Sequence, residues 1–403
     1  MRQSASDAPQ SASHIRGIPS TVWALGFVSL FMDVSSELIH ALLPLFLVDR
    51  LGTTLLTVGL IEGVAEATAA ITKVFSGAVS DWLGRRKLLA LFGYGLSALS
   101  RPLFPLADSA GMVLAARFID RLGKGIRGAP RDALVADVTP PEQRGAAYGL
   151  RQALDSVGAF LGPLLAVLLM TAYADHIRAV LWWAMIPAWI SVLLIVFAVR
   201  EPGTCGTQRK GVPIRRPDVA ALPRGYWIAV LIGVLFTLAR FSEGFLILKG
   251  QHAGLTITLV PLVLVGMNFV YAAASLPVGK LSDRLGRRGL LALGMLVLAG
   301  ADFVLAAVPG LIGLFSGVAL WGLHMALSQG LLAALVADTA PPALRGTAFG
   351  VFNLATGVVL LLASLLAGAL WQAIGPDATF AAGAGFALAA AIGLLLMLSR
   401  RES

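Results

Sequence analysis

The sequence predicts an all-α membrane protein of twelve transmembrane helices, arranged as two pseudo-symmetric bundles of six. Of its 403 residues, 57% are hydrophobic and 13% are charged, a balance that no soluble globular domain of this length would show. Apolar runs near the roughly 20 residues that cross a bilayer recur along the whole chain. These runs are continuous rather than alternating, which excludes the strands of a membrane β-barrel. In addition, two polar motifs each occur once in either half.

Hydropathy places six spans in each half of the chain. The predicted spans are 22–48, 56–79, 88–107, 111–136, 146–170, 178–199, 226–248, 255–279, 289–308, 311–336, 346–370 and 375–398. The polar start of the chain predicts a disordered tail, and the first apolar run is a full-length span rather than a signal peptide. The predicted division is a tail over 1–19, a first bundle over 20–199, a linker over 200–225, a second bundle over 226–399 and a tail over 400–403.

Positive charges are concentrated on one side of the predicted membrane. The net charge is +9, and most Lys and Arg residues fall in the tails and in the loops of one side, whereas Arg50, Arg178 and Lys249 fall on the other. Because cytoplasmic loops carry the excess of basic residues, both termini are expected in the cytoplasm. The charge therefore reflects topology and not a nucleic-acid partner. The sole cysteine, Cys205, leaves no disulfide framework and no thiolate metal site.

The repeated motifs lie at the ends of apolar runs. The first reads Gly77-Ala-Val-Ser-Asp81-Trp-Leu-Gly84-Arg85-Arg86 between spans 2 and 3, and Gly279-Lys-Leu-Ser-Asp283-Arg-Leu-Gly286-Arg287-Arg288 between spans 8 and 9. The second, Asp-x-x-Pro-Pro-x-x-Arg-Gly, begins at Asp137 and again at Asp338. Two membrane halves in parallel repeat are the architecture of a rocking secondary transporter.

The doubled Gly-x-x-x-Asp-x-x-Gly-Arg-Arg loop resembles the signature loop of the major facilitator superfamily, and the resemblance covers the chain from the first span to the twelfth. It implies the twelve-helix fold of that family and a cytoplasmic gate that holds the halves together and breaks when that side opens. The glycines suit close helix approach and a tight turn, and the aspartates can pair with arginines at helix ends. The gate role carries over to Gly77, Asp81, Gly84, Arg85, Arg86, Gly279, Asp283, Gly286, Arg287 and Arg288.

Two further motifs are similar to patterns in proton-coupled members and exporters of that family. Span 4 contains Arg121-Leu-Gly-Lys124-Gly-Ile-Arg127-Gly-Ala, similar to Arg-x-x-Gln-Gly-x-Gly-Ala-Ala, whose arginine is linked to proton coupling. Span 5 contains Gly158-Ala-Phe-Leu-Gly162-Pro163-Leu-Leu-Ala-Val, similar to the exporter motif Gly-x-x-x-Gly-Pro-x-x-Gly-Gly apart from its final pair. Small residues at this spacing also serve ordinary helix packing, so both roles stay open for span 5.

Ionisable side chains inside the spans cost about 2.5–3.5 kcal/mol each at a helix centre, so each needs a reason. Most belong to the first half, and span 10 has no counterpart of the basic stripe of span 4. Several of these side chains are predicted to form ion pairs that neutralise one another between or along helices. They are Glu62, Glu66, Lys73, Arg117, Lys124, Arg151 and Asp155. Because spans 1, 4, 7 and 10 line the central cavity of the superfamily fold, the residues expected to face one water-filled path are Asp33, Glu37, Arg121, Glu243 and His324.

These carboxylates and the partial exporter motif favour proton-coupled export of a small organic or amphiphilic molecule across a bacterial inner membrane. Opening and closing a cavity changes both the desolvation and the pairing of a carboxylate, and these two factors set its pKa. Two alternatives use the same residues. One is export of a metal ion or metal chelate, with Asp33, Glu37 and His40 as ligands. The other is uptake of an organic anion, which the cations of span 4 favour.

Other functional classes lack their sequence signatures. No nucleophile–base pair and no His-Glu-x-x-His zinc sequence indicates an enzyme, and no Walker-type phosphate loop indicates ATP-driven transport. We therefore expect neither enzymatic activity nor a cofactor. The expected partners are a small solute, protons and the lipid bilayer, and a single chain is expected to work as a monomer because its two halves form the path.

Overall fold

A computed structural model describes residues 17–201 and 216–402, and within these ranges the chain is helical with no β-strand. Most of the predicted tail, residues 1–16, and most of the predicted linker, residues 202–215, lie outside the described residues. The fold class predicted from the sequence is confirmed. The first described helix begins at Ser20, at the predicted start of the first bundle.

The helices follow the predicted spans closely. In chain order the long helices are α1 (Ser20–Leu45), α2 (Leu55–Leu83), α3 (Arg86–Ser100), α4 (Ala110–Val138), α5 (Arg144–Ala172), α6 (Met185–Ala198), α7 (Arg224–Ala239), α8 (262–285), α9 (Gly286–Ala307), α10 (Gly310–Ser328), α11 (Arg345–Ala373) and α12 (Pro376–Glu402). Shorter helices cover Phe46–Arg50, Leu103–Leu106, Pro141–Gln143, Ile177–Trp183, Arg216–Ala220, Gly244–His252, Leu331–Thr339 and Pro342–Leu344. Thr54 and Ser109 cap α2 and α4, since their hydroxyls accept bonds from backbone N–H groups of the first turn.

Nine helices among the described residues are long and apolar enough to cross a membrane. At the other three predicted spans the chain is helical as well, but each departs from a simple apolar helix. Span 3 is interrupted at Pro102, which cannot continue the hydrogen-bond ladder of α3. Span 4 is rich in charged side chains. The apolar part of α8 is short, Leu262–Ser275.

Three predicted spans differ from the structure in ways that matter for the site. Span 7 is not continuous, because α7 ends at Ala239 and the chain becomes helical again at Gly244. The Ser242 hydroxyl accepts a bond from the Gly244 N–H, at the first residue of the second segment, at 3.1 Å. Span 10 is interrupted at Gly330, whose φ of 75° is left-handed. Span 8 begins later than predicted, after Pro261.

The two halves meet along α2 and α11, where glycines allow the backbones to touch. A Cβ atom added to Gly59 or Gly63 of α2 would collide with the backbone of Ser364 or Leu361 on α11. From the other side, Gly368 of α11 packs in the same way on Leu55. These contacts run from the loop ends of α2 and α11 to the middle of both helices. A larger residue at these positions would force the halves apart.

Hydrogen bonds between the halves lie, in the described part of the chain, on the face opposite the termini and in the middle of the fold. Gln251 donates to Asp49 at 2.9 Å, and Thr258 donates to Asp175; both bonds lie on the face opposite the termini. Nearer the middle, the Asn268 amide donates to the Ala159 carbonyl oxygen at 3.1 Å. The halves are therefore closed on the face opposite the termini, and the space between them opens toward the face that carries both termini.

Candidate functional site

A cavity of about 410 Å³ lies between the two halves near the middle of the fold; we call it the central cavity. Its charged and histidine lining residues are Glu37, His40, Glu66, Arg121, Lys124, Arg240 and Glu243. It adjoins a second space of about 580 Å³, the vestibule, which shares Glu37, Glu66, Lys124 and Glu243 with it. The vestibule extends toward the termini and is lined further by Asp33, Lys73, Arg131, Asp132, Arg151 and Asp155. Together they form one polar path that ends inside the protein.

The glycines of α5 determine where the carboxylates of α1 lie. A Cβ atom on Gly158 would come within 2.7 Å of the Leu30 carbonyl oxygen, and one on Gly162 within 2.9 Å of that of Val34. Because α5 packs this closely on α1, the neighbouring side chains of Asp33 and Glu37 are directed along the cavity wall. The Gly-x-x-x-Gly-Pro motif of span 5 thus acts as a packing surface next to the candidate site.

A fully buried ion pair lies above the central cavity, on the closed side. Arg117 of α4 donates to both oxygens of Glu62 on α2, at 2.9 and 3.1 Å. The His40 ring lies between two carboxylates, 3.3 Å from Glu37 and 3.8 Å from Glu62. Ser242 of the second half donates to Glu62 at 3.2 Å. Glu62 is therefore where the charged network of the first half contacts the interrupted segment of the second.

Two further predicted pairs form across or along helices. Arg121 contacts Glu66 at 3.2 Å, which joins α4 to α2 inside the central cavity. Arg151 contacts Asp155 at 2.6 Å, one turn along α5. Lys73 and Lys124 differ from the prediction of neutralised ion pairs, because neither makes a salt bridge or side-chain hydrogen bond within the described ranges. Both instead line the space between the halves: Lys124 lines both cavities, and Lys73 lines the vestibule.

Arg101 is a buried cation whose role was not predicted from the sequence. Its side chain is completely buried, contacts Asp120 at 3.1 Å and donates to the Ser36 hydroxyl at 2.8 Å. It therefore ties the end of α3 to α4 and α1. The signal was present in the sequence, since an arginine inside an apolar run directly before Pro102 interrupts a span.

Among the described residues of the second half, two buried ionisable groups have no partner. His324 was expected to face the water-filled path, but it is fully buried between Phe236 and Trp321, with ring centroids 6.3 and 5.4 Å away. Its ring nitrogens make no hydrogen bond in the described structure. Asp302 of α9 is also fully buried and unpartnered there, next to Phe241 and Gly383. A single charge in an apolar run was the only sign of Asp302 in the sequence.

Around the first gate motif, the described contacts stay within the first half. Gly84 ends α2 with a φ of 62°, and Gly286 divides α8 from α9 with a φ of 67°, so both turns need glycine. Arg86 pairs with Asp137 at the end of α4, and its backbone N–H donates to Glu201 at 2.6 Å.

The remaining gate residues have no described contacts that join the halves. The Cβ position of Gly77 lies against Ala129 of α4. Arg85 and Arg287 are exposed and Arg288 is half-buried. The side chains of Asp81 and Asp283, together with Gly279, fall outside the part of the chain whose side chains are described.

The residues of the alternative metal site do not converge. Glu37 and His40 are in contact, but Asp33 lies one turn away in the vestibule. In the vestibule, Asp33 interacts electrostatically with Asp155 and with the cations Lys124, Arg127 and Arg131. Among the described residues, no group of three or more His, Cys, Asp or Glu side chains is placed to hold a metal ion.

Comparison with known proteins gives matches to one family over most of the chain. The family model of the Major Facilitator Superfamily matches residues 25–248 and 228–403. An uncharacterized MFS-type transporter of Methanocaldococcus jannaschii is 32% identical over 388 residues, which cover 95% of this chain and 95% of that protein.

Two other matches are more distant. The multidrug resistance protein MdtH of Yersinia pestis is 28% identical over 192 residues, covering 45% of this chain and 47% of that protein. Among solved structures, a point mutant of the nucleoside transporter NupG superposes with a TM-score of 0.81 at 12% identity, covering 94% of this chain and 99% of that one. At 12% identity, this similarity is evidence for a shared fold only.

We predict that Arg117→Met destabilises the protein strongly, because it leaves the Glu62 carboxylate buried without its cation. Removing one partner of a buried pair costs about 3–5 kcal/mol, which would appear in the free energy of unfolding of the purified protein. The double variant Glu62→Met/Arg117→Met should recover most of the loss. As a control, Arg178→Met removes an exposed pair with Asp108 and should cost less than about 1 kcal/mol. Equal losses in the single and double variants would contradict this role of the pair.

Proposed function

Because the chain belongs to the major facilitator superfamily, we propose that it exports a small organic, amphiphilic solute in exchange for protons. The solute would occupy the central cavity and cross the inner membrane by alternating access, with both termini in the cytoplasm. In this state the path opens toward the termini and is closed opposite them. One chain suffices for this cycle, since both walls of the cavity come from its own two halves.

The observation that carries this proposal is the composition of the central cavity. Ionisable side chains from both halves share it with an apolar wall of Phe241, Leu332, Phe352 and Leu360. A volume of about 410 Å³ is within the range of cavities that hold small organic ligands. A mixed lining of this kind fits a solute with a charged or polar group and an apolar body.

The carboxylates of α1, Asp33 and Glu37, are the proposed carriers of the exchanged protons. Asp33 makes no hydrogen bond or salt bridge in the described part of the chain, and Glu37 contacts His40. Glu243 lies in the interrupted part of span 7, beside the same cavity. Rocking of the halves would change the water and the charges around each group, and these factors determine whether a carboxyl holds its proton. Arg121, paired with Glu66, keeps its positive charge throughout the cycle and would favour proton release from a neighbouring carboxyl, because a nearby cation stabilises the ionised form.

The direction of transport is proposed from two features. The Gly158, Gly162 and Pro163 motif of α5 is similar to the exporter pattern and packs directly on the carboxylate-bearing helix α1. The partial match to a multidrug resistance protein, over 45% of this chain, agrees with export. Neither feature favours a metal ion as the solute.

We expect Glu37→Gln to abolish the pH dependence of transport, because an amide cannot carry the proton. The measurement is flux in proteoliposomes under an imposed pH gradient, screened over a cationic dye, a divalent metal and an organic acid. Asp49→Asn is the control, since Asp49 bonds Gln251 on the closed face and does not line the cavity. Transport in the Glu37 variant that still follows the pH gradient would exclude Glu37 as a carrier.

The gate role of the repeated loops is also proposed. The Gly84 and Gly286 turns and the bond between Arg86 and Asp137 would hold each loop ready to contact the other half when the terminal face closes. We expect Asp81→Asn to leave insertion intact but slow turnover, and Asp283→Asn to be milder, because the charges of α4 flank only the first loop. Turnover is measured in the same proteoliposomes. A normal turnover rate in the Asp81 variant would contradict the proposed gate role of this loop.

A further inference from the structure

We propose that the central cavity binds the anionic group of an organic acid between Lys124 of the first half and Arg240 of the second. This inference rests on the proposed function and specifies its solute as an amphiphilic anion, with a carboxylate or a phosphate as the charged group. It gives a role to two cations that the ion-pair network leaves aside.

The first support is the pairing of the buried arginines inside the first half. Arg101, Arg117, Arg121, Arg131 and Arg151 each contact a carboxylate, at distances from 2.6 to 3.2 Å. Arg127 is also engaged, since it donates to Ser97 at 2.8 Å and stacks on Tyr94. Pairing is therefore the rule for cations at this depth, as the cost of an isolated charge in a membrane requires.

Lys124 and Arg240 depart from that rule. Within the described ranges, neither side chain makes a salt bridge or a hydrogen bond, and both line the central cavity. Arg240 contacts the face of Phe236, with its guanidinium carbon 5.7 Å from the ring centroid. A cation that stays hydrated in an empty cavity loses that hydration when a solute enters and the halves close. An anionic group on the solute restores the missing partner with charge-assisted hydrogen bonds.

The second support is the backbone around Arg240. The α7 helix ends at Ala239, and Arg240 has non-helical φ and ψ of −101° and 56°. The interruption places Arg240 in the lining of the same cavity as Lys124, so that one cation comes from each half. An anion between them would bridge the two halves. It would therefore bind more tightly in states where the halves approach, and this is the coupling that alternating access requires.

The carboxylate of Glu243 must be reconciled with an anionic solute. Glu243 lines the same cavity, where it is faced by Glu37 and His40 of α1, Glu66 of α2 and Arg240 of its own segment. An ionised Glu243 repels an anion, and a protonated one does not. Anion binding therefore requires that Glu243 hold its proton while the solute is carried, and the exchanged protons are assigned to Asp33 and Glu37 of α1.

The test uses matched ligands and the purified full-length protein. Each of three acids, benzoate, 1-naphthoate and indole-3-acetate, is compared with its amide and with the corresponding amine, and phenyl phosphate tests the phosphate alternative. Ligand binding to the folded state raises the midpoint of thermal unfolding, so a titration gives an apparent Kd. We expect the acids or the phosphate ester to stabilise the protein and the amides and amines to do so weakly or not at all.

Four variants assign the effect to residues. Lys124→Met and Arg240→Met should each weaken the best acid by at least about tenfold, as the loss of a hydrogen bond to a charged group implies. Lys124→Arg and Arg240→Lys keep the charge and should retain most of the affinity, which separates lost pairing from misfolding. Lys73→Met is the matched control, because Lys73 is a cation of the vestibule that does not line the central cavity.

Glu243→Gln separates an anion site from a cation site. It should preserve or strengthen binding of the acid, whereas a site for cations would lose its amine. The inference is overturned if amines or amides stabilise as well as acids, if no acid or phosphate ester stabilises, or if the Lys124 and Arg240 variants bind like Lys73→Met. If an amine drives proton flux, the proposed exchange of solute for protons is supported and the proposal of an anionic solute is contradicted. If an acid binds but drives no proton flux, the anion site is supported and the proposed coupling to protons is contradicted.

Discussion

The structure depends on one constraint, the cost of placing an ionised group where a membrane surrounds the protein. The first half meets that cost by pairing, as in Arg117 with Glu62 and Arg101 with Asp120, both fully buried. The two lysines of the first half that make no salt bridge in the described part of the chain, Lys73 and Lys124, lie instead beside the cavities between the halves. In the first half, paired charges therefore indicate the regions that stay packed, and unpaired charges indicate the regions that can contact a solute.

The two halves share loops and helix order but not the contents of their interiors. The first half carries a charged network on α1, α2, α4 and α5. The corresponding space of the second half is packed with aromatic rings, in which Phe241 contacts both Trp321 and Phe380 at 5.7 and 5.5 Å. The charged residues that the second half contributes to the central cavity, Arg240 and Glu243, lie where span 7 is interrupted. A rigid aromatic half moving against a charged half would change the environment of the charges while leaving the repeated fold intact.

Much of the fold could be predicted from sequence because hydropathy and repeated motifs are local signals, and nine predicted spans are confirmed as helices able to cross a membrane. The interruption of span 7 was not predicted, although Arg240, Ser242 and Glu243 break the apolar run there, because charges within a span do not by themselves indicate a break in the helix. Which charges pair depends on helix packing, so Lys124 was predicted to be paired and is not, and the role of Arg101 was missed. His324 was placed in the path from helix number alone, but the face it occupies on α10 points into the aromatic core.

The account is tested most directly by measuring how the two faces move relative to one another. Spin labels on cysteines that replace Glu142 and Pro342 report the face carrying the termini, and labels replacing Asp108 and Pro309 report the opposite face, all four positions being exposed. With Cys205 replaced by serine, distances are measured by electron–electron resonance in lipid nanodiscs in acidic and in alkaline buffer. Alternating access coupled to protons predicts that the change of pH shifts the two distance distributions in opposite directions. Distances that stay fixed, or that lengthen and shorten together, would contradict it.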